Sequence, residues 1–179
     1  MFDSLKNQFL ISLPTLTGDY FHQSISLLID HNEDGAFGLM VNRLLEPRLQ
    51  DLLPELEGKF DCPLLEGGPV AREMLFFLHG NGPEFDSTTQ ISADMSLTTS
   101  PDILDAMKTN LFNVPIVAIL GYAGWGAGQL ESELAENIWL LVPADADIVF
   151  DTPYDQRAQI AAARFGIDVN LVGPKAGHD

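Results

Sequence analysis

Cysteine is almost missing from this chain, with Cys62 alone among 179 residues. No intramolecular disulfide and no multi-cysteine zinc or iron–sulfur site can form, and a reducing compartment is expected. Cationic side chains are also scarce. Nine Lys and Arg stand against 26 Asp and Glu, a net charge of −17, so the mean surface field repels phosphate and anionic lipid. The nine are scattered, never more than two in any six-residue window, whereas a DNA reader commonly neutralises about 6–10 phosphates. Direct nucleic-acid binding is therefore not expected. Long apolar runs are absent too. The longest, Val114 to Gly128, contains Pro115 and four glycines and falls short of the roughly 20 residues of a membrane helix. The run Phe9 to Leu13 is interrupted by Ser12 and stopped by Pro14, too short for a secretory signal core. No repeat and no Gly/Ser or Pro-rich linker divides the chain. The expectation is one domain over residues 1–179, cytoplasmic and without a membrane segment.

What is present is a core. Hydrophobic residues are 46% of the chain and charged residues 20%, which excludes a disordered or low-complexity protein. Short runs rich in Ile, Leu, Val or Phe predict strands over Gln8–Leu13, Ser24–Asp30 and Ala36–Asn42. The last two are joined by His31-Asn32-Glu33-Asp34-Gly35, where Asp-Gly marks a hairpin turn because Gly supplies positive φ. Leu49, Leu52, Leu53 and Leu56 recur at helical spacing, but Pro54 limits them to a short or broken helix. Glu66-Gly67-Gly68-Pro69 reads as a turn, Met74–His79 as a strand covered on both faces, and Thr88–Leu97 as holding a further strand. Ser100-Pro101-Asp102 reads as N-cap, first helical proline and first-turn acid for a helix through Leu111. Val114–Leu120 follows as a strand, Gly121–Gly128 as a glycine-rich loop, Leu130–Asn137 as a short helix and Ile138–Val142 as a strand. Thr152-Pro153 opens another helix, Gly166 ends it, and Val169–Val172 is a last strand. Strands clustered early and helices inserted late predict a mixed α+β domain.

Familiar catalytic signatures do not occur. There is no G-x-S-x-G elbow, no H-E-x-x-H pair and no glycine loop followed by G-K-[ST]; a Ser-His-Asp set could still assemble from distant residues. The Gly121–Gly128 segment could receive an anion, but Glu131 and Glu133 near the first turn of the next helix would repel one. Gly67-Gly68 could form an amide nest, yet Pro69 removes a donor, and a turn needing positive φ is the commoner use. His31 beside Glu33 and Asp34 could bind a metal or shuttle protons, and a solvated polar loop explains it equally well. The four histidines show no short ligand spacing. His79, ahead of Gly80-Asn81-Gly82, reads as a pocket residue or, more commonly, a strand-end hydrogen-bonding group, and Cys62, next to Asp61, as an inert or mildly oxidisable thiol.

Several stretches together resemble the YqgE/AlgH family of bacterial proteins. They are Gly18-Asp19-x-Phe21, Ser24-Ile25, His31-Asn32 leading to Gly35-Ala36-x-Gly38-Leu39-x-Val41-Asn42-Arg43, Gly67-Gly68-Pro69-Val70 and Leu78-His79. To these add Gly121-Tyr122-Ala123-x-Trp125-x-x-Gly128-Gln129-Leu130-Glu131-x-Glu133, Asn137-x-Trp139, Thr152-Pro153 and Gly177-His178. The chain departs at Leu44, where the family usually has proline, and at Ala158, where a tryptophan after the arginine is common. The resemblance implies a strand-rich α+β sheet curled into a pseudo-barrel with several short helices packed outside. One branch carries the label of a transcriptional regulator, and the family brings no established active site.

Two functional readings follow. The first is a non-enzymatic regulatory or protein-interaction domain that acts through another protein, its candidate surface drawn from His31, Asn42, Arg43, Gly67, Gly68, His79, Trp125 and Glu133. The second is a small-ligand binder or enzyme, with a pocket where the His31 hairpin, Gly67-Gly68, His79 and the Gly121–Gly128 segment converge. No catalytic residue, metal ligand or cofactor is assigned.

Overall fold

The computed structural model describes residues 2–14, 19–109 and 112–169. Among the described residues nine strands form one curled sheet: β1 (Gln8–Ser12), β2 (Ile25–Asn32), β3 (Gly35–Met40), β4 (Leu64–Glu66), β5 (Val70–His79), β6 (Thr89–Gln90), β7 (Ser96–Thr98), β8 (Ile116–Gly126) and β9 (Trp139–Pro143). Its order is β6-β7-β5-β8-β3-β2-β1-β9, and β4 pairs with β8 in parallel, the other pairings being antiparallel. Short helices lie on it: α1 (Leu49–Leu52), α2 (Asp102–Lys108), α3 (Gln129–Ala135), α4 (Ala146–Phe150) and α5 (Arg157–Ala163), with 3-10 turns at Pro54–Leu56 and Tyr154–Gln156. The chain thus has the expected α+β pseudo-barrel class, a half-barrel sheet with helices outside.

Both faces of the sheet are apolar, which is why its strands read as nearly continuous hydrophobic runs. Alternate residues go to opposite sides. Phe9 and Ile11 of β1, Phe76 and Leu78 of β5, and Val117 and Ile119 of β8 enter the inner core, closed by Ile148 and Val149 of α4 and Ala161 and Ala162 of α5. Leu64, Phe77 and Ala118 point the other way, against Leu49, Leu56, Ile103 and Met107. At the other end of the sheet, Leu10, Leu28, Trp125 and Trp139 meet Leu130 of α3. Each such aliphatic or aromatic side chain, buried from water, contributes roughly 1.5–3 kcal/mol.

β8 is the element on which the two ends turn. Its first half lies between β5 and β4, and its last residues pair with β3. The change of partner falls at Gly121, whose φ is +77°. Opposite it, β5 carries four residues without a register partner between Val70 and Leu75. The irregularity bends the pair, and the left-handed Gly121 left unpaired on β8 shifts that strand's alternation by one. Ile119 and Tyr122 therefore both belong to the inner core, while Ala118 and Ala123 both face outward.

Several expectations are corrected. Gly121–Gly128 is not a loop: β8 runs through Gly126, and the turn into α3 is confined to Ala127 and Gly128. Gly67 and Gly68 are not at positive φ. A Cβ on Gly67 would overlap the Gly121 carbonyl and Ile119, and one on Gly68 would overlap the Tyr122 backbone, so close approach of β4's end to β8 demands glycine there. The hairpin loop is Glu33-Asp34, with Gly35 opening β3 at φ +139°. Pro101 occupies the cap position of α2, which ends at Lys108; Asn110 and Leu111 lie outside the described residues. Thr88–Leu97 holds two short strands, and α4 was not anticipated. The expected final strand lies, beyond Val169, outside the described residues, as do Gly18, Gly177 and His178.

Candidate functional site

His31 is not at a solvated tip. A register shift between Leu28 and Asp30 moves β2's alternation by one, so His31 joins Leu28 on the α3 side, 4% exposed and opposite Ala36. Its Nδ1 accepts from the Leu5 backbone N–H at 2.9 Å. That leaves the ring proton on Nε2, which donates to Glu131 of α3 at 3.1 Å. The Glu131 carboxyl sits below its ordinary range, first through its own backbone N–H and then through His31. Two residues on, Glu133 Oε1 accepts from the indole N–H of Trp125 at 3.0 Å and of Trp139 at 2.8 Å. Its Oε2 accepts from Gln129 at 3.0 Å. The indoles meet edge to face at 6.0 Å, and Phe21 stacks on Trp125 at 6.3 Å. His31, Trp125 and Glu133 are thus brought together as the clamp that fastens α3 to the sheet.

His79 stands elsewhere. It pairs with Ile116 at the start of β8, while Ala36 pairs with Trp125 near its end, roughly 30 Å of strand apart at about 3.3 Å per residue. Buried at 0% exposure, its Nδ1–H donates to the Gly80 carbonyl at 2.9 Å and its Nε2 accepts from the Thr98 hydroxyl at 2.7 Å. Burial lowers its pKa, so the ring is neutral. Gly67 and Gly68 lie against the middle of β8. The expected convergence of these segments on one pocket does not occur, because β8 strings them out along its length. Burial pushes the Cys62 thiol up to about 12, with Asp61 adding to the effect. Among the described residues no group of three or more His, Cys, Asp or Glu could hold a metal.

Asn42 and Arg43, the remaining two candidates, line a half-open cavity of about 470 Å³ at the end of β1 and the loop after β3. The sheet side supplies Ile11, Ser12 and Leu13 with His22 and Gln23. Tyr154, Asp155, Ala158 and Gln159 form the opposite wall. Asn42 is held rigidly: Oδ1 accepts from Ile25 N–H at 3.2 Å and Nδ2 donates to the Gln23 carbonyl at 2.9 Å. Arg43 donates to the carbonyls of Tyr20 and His22 and lies 4.9 Å from the centre of the Tyr20 ring, with Arg72 at 5.9 Å. The Tyr20 hydroxyl donates to Glu66, and burial together with that carboxylate raises its pKa to about 12.

Behind Tyr154 sits Arg157, a residue for which the residue patterns offered no role. It is 2% exposed, donates to the Thr152 carbonyl at 2.8 Å and the Val41 carbonyl at 2.5 Å, and lies 4.2 Å from the centre of the Tyr154 ring. It fixes α5 against the end of β3 and so sets the cavity's width. Ala158, the departure where tryptophan is common, lines the wall, and its small side chain leaves the space open. Leu44, the other departure, is 52% exposed.

A family model described as AlgH-like (DUF179) matches residues 9–170. The chain belongs to the AlgH-like family. A UPF0301 protein of Thioalkalivibrio sulfidiphilus is 42% identical over 177 residues, covering 96% of this chain and 95% of that one. One of Hahella chejuensis is 43% identical over 178 residues, covering 98% and 96%. The solution structure of the AlgH protein from Pseudomonas aeruginosa superposes with a TM-score of 0.78 at 38% identity, covering 98% of this chain and 96% of that one. A Corynebacterium diphtheriae protein shares the fold at a TM-score of 0.76 and 19% identity, over 93% and 90% of the two chains. No helix among the described residues is long and apolar enough to cross a membrane.

Proposed function

We propose that this AlgH-like chain is a non-enzymatic regulatory domain that works in the cytoplasm by docking another protein. One observation carries the reading: the side chains best suited to chemistry are engaged in holding the fold. His31 is fixed between Leu5 and Glu131, His79 between Gly80 and Thr98, and Glu133 between two indoles. Cys62 is buried with its thiol protonated. None of these is offered to a substrate as acid, base or nucleophile. The cations weigh against a polyanion as partner. Arg48, Lys108 and Arg164 are paired with Asp61, Glu55, and Asp145 and Asp147, and Arg157 is buried.

The test is affinity capture from native extract with the tagged full chain, alongside an untargeted search for metabolite turnover by the pure protein. The expected result is a stoichiometric protein partner and no turnover. Turnover with no partner would overturn the proposal. The second reading, a small-ligand binder, rests on the 470 Å³ cavity, which lies within the roughly 300–1,000 Å³ of small-molecule sites. It moves the candidate pocket to Asn42 and Arg43, away from His31, Gly67-Gly68 and His79.

A further inference from the structure

We infer that the cavity between the end of the sheet and α5 receives the C-terminal end of an extended peptide chain, its free carboxylate at Arg43 and its last side chain apolar. The inference rests on the docking reading above and names the part of the partner that is gripped.

Three features of the lining select this ligand. First, Gln23, Asn42 and Gln159 contribute three carboxamides. Gln23 and Gln159 each carry a donor and an acceptor side by side, the complement of a peptide group, which also presents one N–H and one C=O, while Asn42, bonded to Ile25 and Gln23, retains one N–H and one lone pair. Asn42 is already oriented by Ile25 and Gln23, so little side-chain freedom is lost when it binds. Second, Ile11, Leu13 and Ala158 provide an apolar patch for one side chain. Third, the charges are placed on opposite walls. Arg43 stands on the sheet side, its guanidinium plane set by the Tyr20 and His22 carbonyls and by the Tyr20 ring. A planar guanidinium matches a carboxylate better than any other side chain. Behind the other wall Arg157 is buried against the carbonyls of Thr152 and Val41 and the Tyr154 ring. That guanidinium is held by two carbonyls and the Tyr154 ring, with the Asp151 carboxylate offsetting part of its charge; what remains adds to the positive potential on this side of the cavity.

The exposed carboxylate of Asp155 stands on the α5 side. It repels a second carboxylate and accepts N–H groups. This sets the direction of the bound chain, with the terminus toward Arg43 and the preceding peptide N–H groups toward Asp155. His22 and Tyr154 are the remaining titratable groups in the lining; His22 borders the Arg43 wall, where its carbonyl accepts from Arg43.

The experiment is an amide NMR titration of the full chain with three probes. One is a pool of N-acetylated tetrapeptides ending in Leu, Val or Phe with free carboxylates. The second is the same pool with C-terminal amides, and the third is N-acetyl-leucine. The expected result is that the free-acid pool shifts Ser12, Asn42, Arg43 and Ala158 and binds about tenfold or more tightly than the amidated pool. N-acetyl-leucine, with one amide where an N-acetylated tetrapeptide has four, leaves most of the carboxamides unpaired and binds more weakly than the tetrapeptides. Ala158→Trp, which fills the cavity from the α5 side, abolishes the shifts, and Arg43→Gln removes the preference for acid over amide. Because Arg43 also ties down two carbonyls and its loss could disturb the fold, Asp155→Asn is the control. This exposed change keeps an oxygen that accepts the peptide N–H groups and removes a like charge, so it raises the preference for the free acid over the amide a few-fold. Equal binding of acid and amide pools, shifts confined to another surface, or no shift at millimolar peptide overturns the inference. N-acetyl-leucine binding as tightly as the tetrapeptides does so as well, since the cavity would then be a small-carboxylate site. If a captured partner is retained by Ala158→Trp, docking stands and the cavity assignment falls. If no partner is captured, docking itself falls.

Discussion

Replacing Glu133 by alanine tests the architecture at its most concentrated point. Oε1 of this one carboxylate accepts from both indoles, Trp125 at 3.0 Å and Trp139 at 2.8 Å. The two rings are 6% and 4% exposed, so water reaches them poorly once the acceptor is gone. A buried donor left without a partner costs about 1–3 kcal/mol. Two donors give about 2–4 kcal/mol after allowing for some water entering the space Glu133 vacates, or a fall in melting temperature of roughly 5–15 °C for a domain of this size. Alanine is the strongest helix former, so α3 itself gains slightly and the loss cannot be assigned to helix propensity. Glu133→Gln keeps an acceptor oxygen and loses only the charge, so about 1–2 kcal/mol is expected. The assay reads the site directly. Trp125 and Trp139 are the chain's two tryptophans, and urea unfolding followed by intrinsic fluorescence reports on this cluster alone. Glu133→Ala should shift native emission to the red and lower the urea midpoint. A change within about 0.5 kcal/mol, the scale of an indifferent surface substitution, would refute the claim that this carboxylate holds α3 to the sheet.

Gly121→Ala should cost about 3 kcal/mol or more, because φ is +77° and the new Cβ would stand 2.6 Å from the Gly68 carbonyl oxygen. Gly128→Ala, at φ +75° with open space around it, should cost about 1 kcal/mol; equal losses in urea midpoints would contradict the corner assigned to Gly121. Cys62, its thiol pushed up to about 12 by burial, should ignore a disulfide reagent at pH 8 in native protein and react fully after unfolding; rapid native labelling would contradict its burial. Asp147 is held at about 2, first by its hydrogen bond to Arg164, below the unfolded value of roughly 3.9. A depressed folded pKa adds stability above the unfolded value and loses it as pH falls through the folded one. Asp145 beside it is raised by its own burial and by Asp147, which acts in the opposite sense and reduces the net effect. Asp147→Asn should therefore be less stable than wild type at pH 6, with the gap closing between about pH 4 and pH 2 in denaturant melts; a gap independent of pH would remove the ion pair from the account.

How much of this was legible depends on how local each cause is. The β2–β3 hairpin could be read because Asp34-Gly35 determines it within a few residues. The broken helix at Leu49–Leu56 followed from Pro54 alone, and the start of the segment leading to α5 from Thr152-Pro153. For His31 the residues leave open a metal or proton-shuttling role and a solvated loop, and neither anticipates its burial, because a bulge leaves no motif and one extra residue in β2 is enough to turn an imidazole from solvent onto α3. Gly67-Gly68 do join β4 to β5 as the expected turn, but without the expected positive φ, because glycine serves both positive φ and close approach. Which applies depends on Gly121 and Tyr122, more than fifty residues on. The glycines of β8 misled in the same way: Gly121 makes a corner within a strand, while Gly124 and Gly126 continue it. Asn42 and Arg43 were singled out through the family resemblance. The wall they face begins at Tyr154, and no spacing within either segment announces the other.

The acidity that disfavours nucleic acid does not disfavour a single carboxylate, because the two ligands sample the charge over different distances. At physiological ionic strength fields are screened over about 8 Å, so the excess of 17 negative charges, spread over 9202 Å² of surface, acts at any one point mainly through its nearest members. Around the cavity those members are unusual for this chain. Arg43 and Arg72 bracket Tyr20, and Arg157 lies against Tyr154. The opposing carboxylates are Asp155 on the rim, Asp151 near Arg157, and Glu66, which is already bonded to the Tyr20 hydroxyl. Arg43, the one guanidinium that lines the cavity among the described residues, suffices to receive one terminal carboxylate, with Arg72 and Arg157 close behind it and a shallow dependence on salt. The three fall short of the roughly 6–10 phosphate contacts from which a DNA-binding surface draws its affinity and its steep salt dependence. The same residues that make the cavity hospitable to a chain end thus leave the protein a poor ligand for a polyanion.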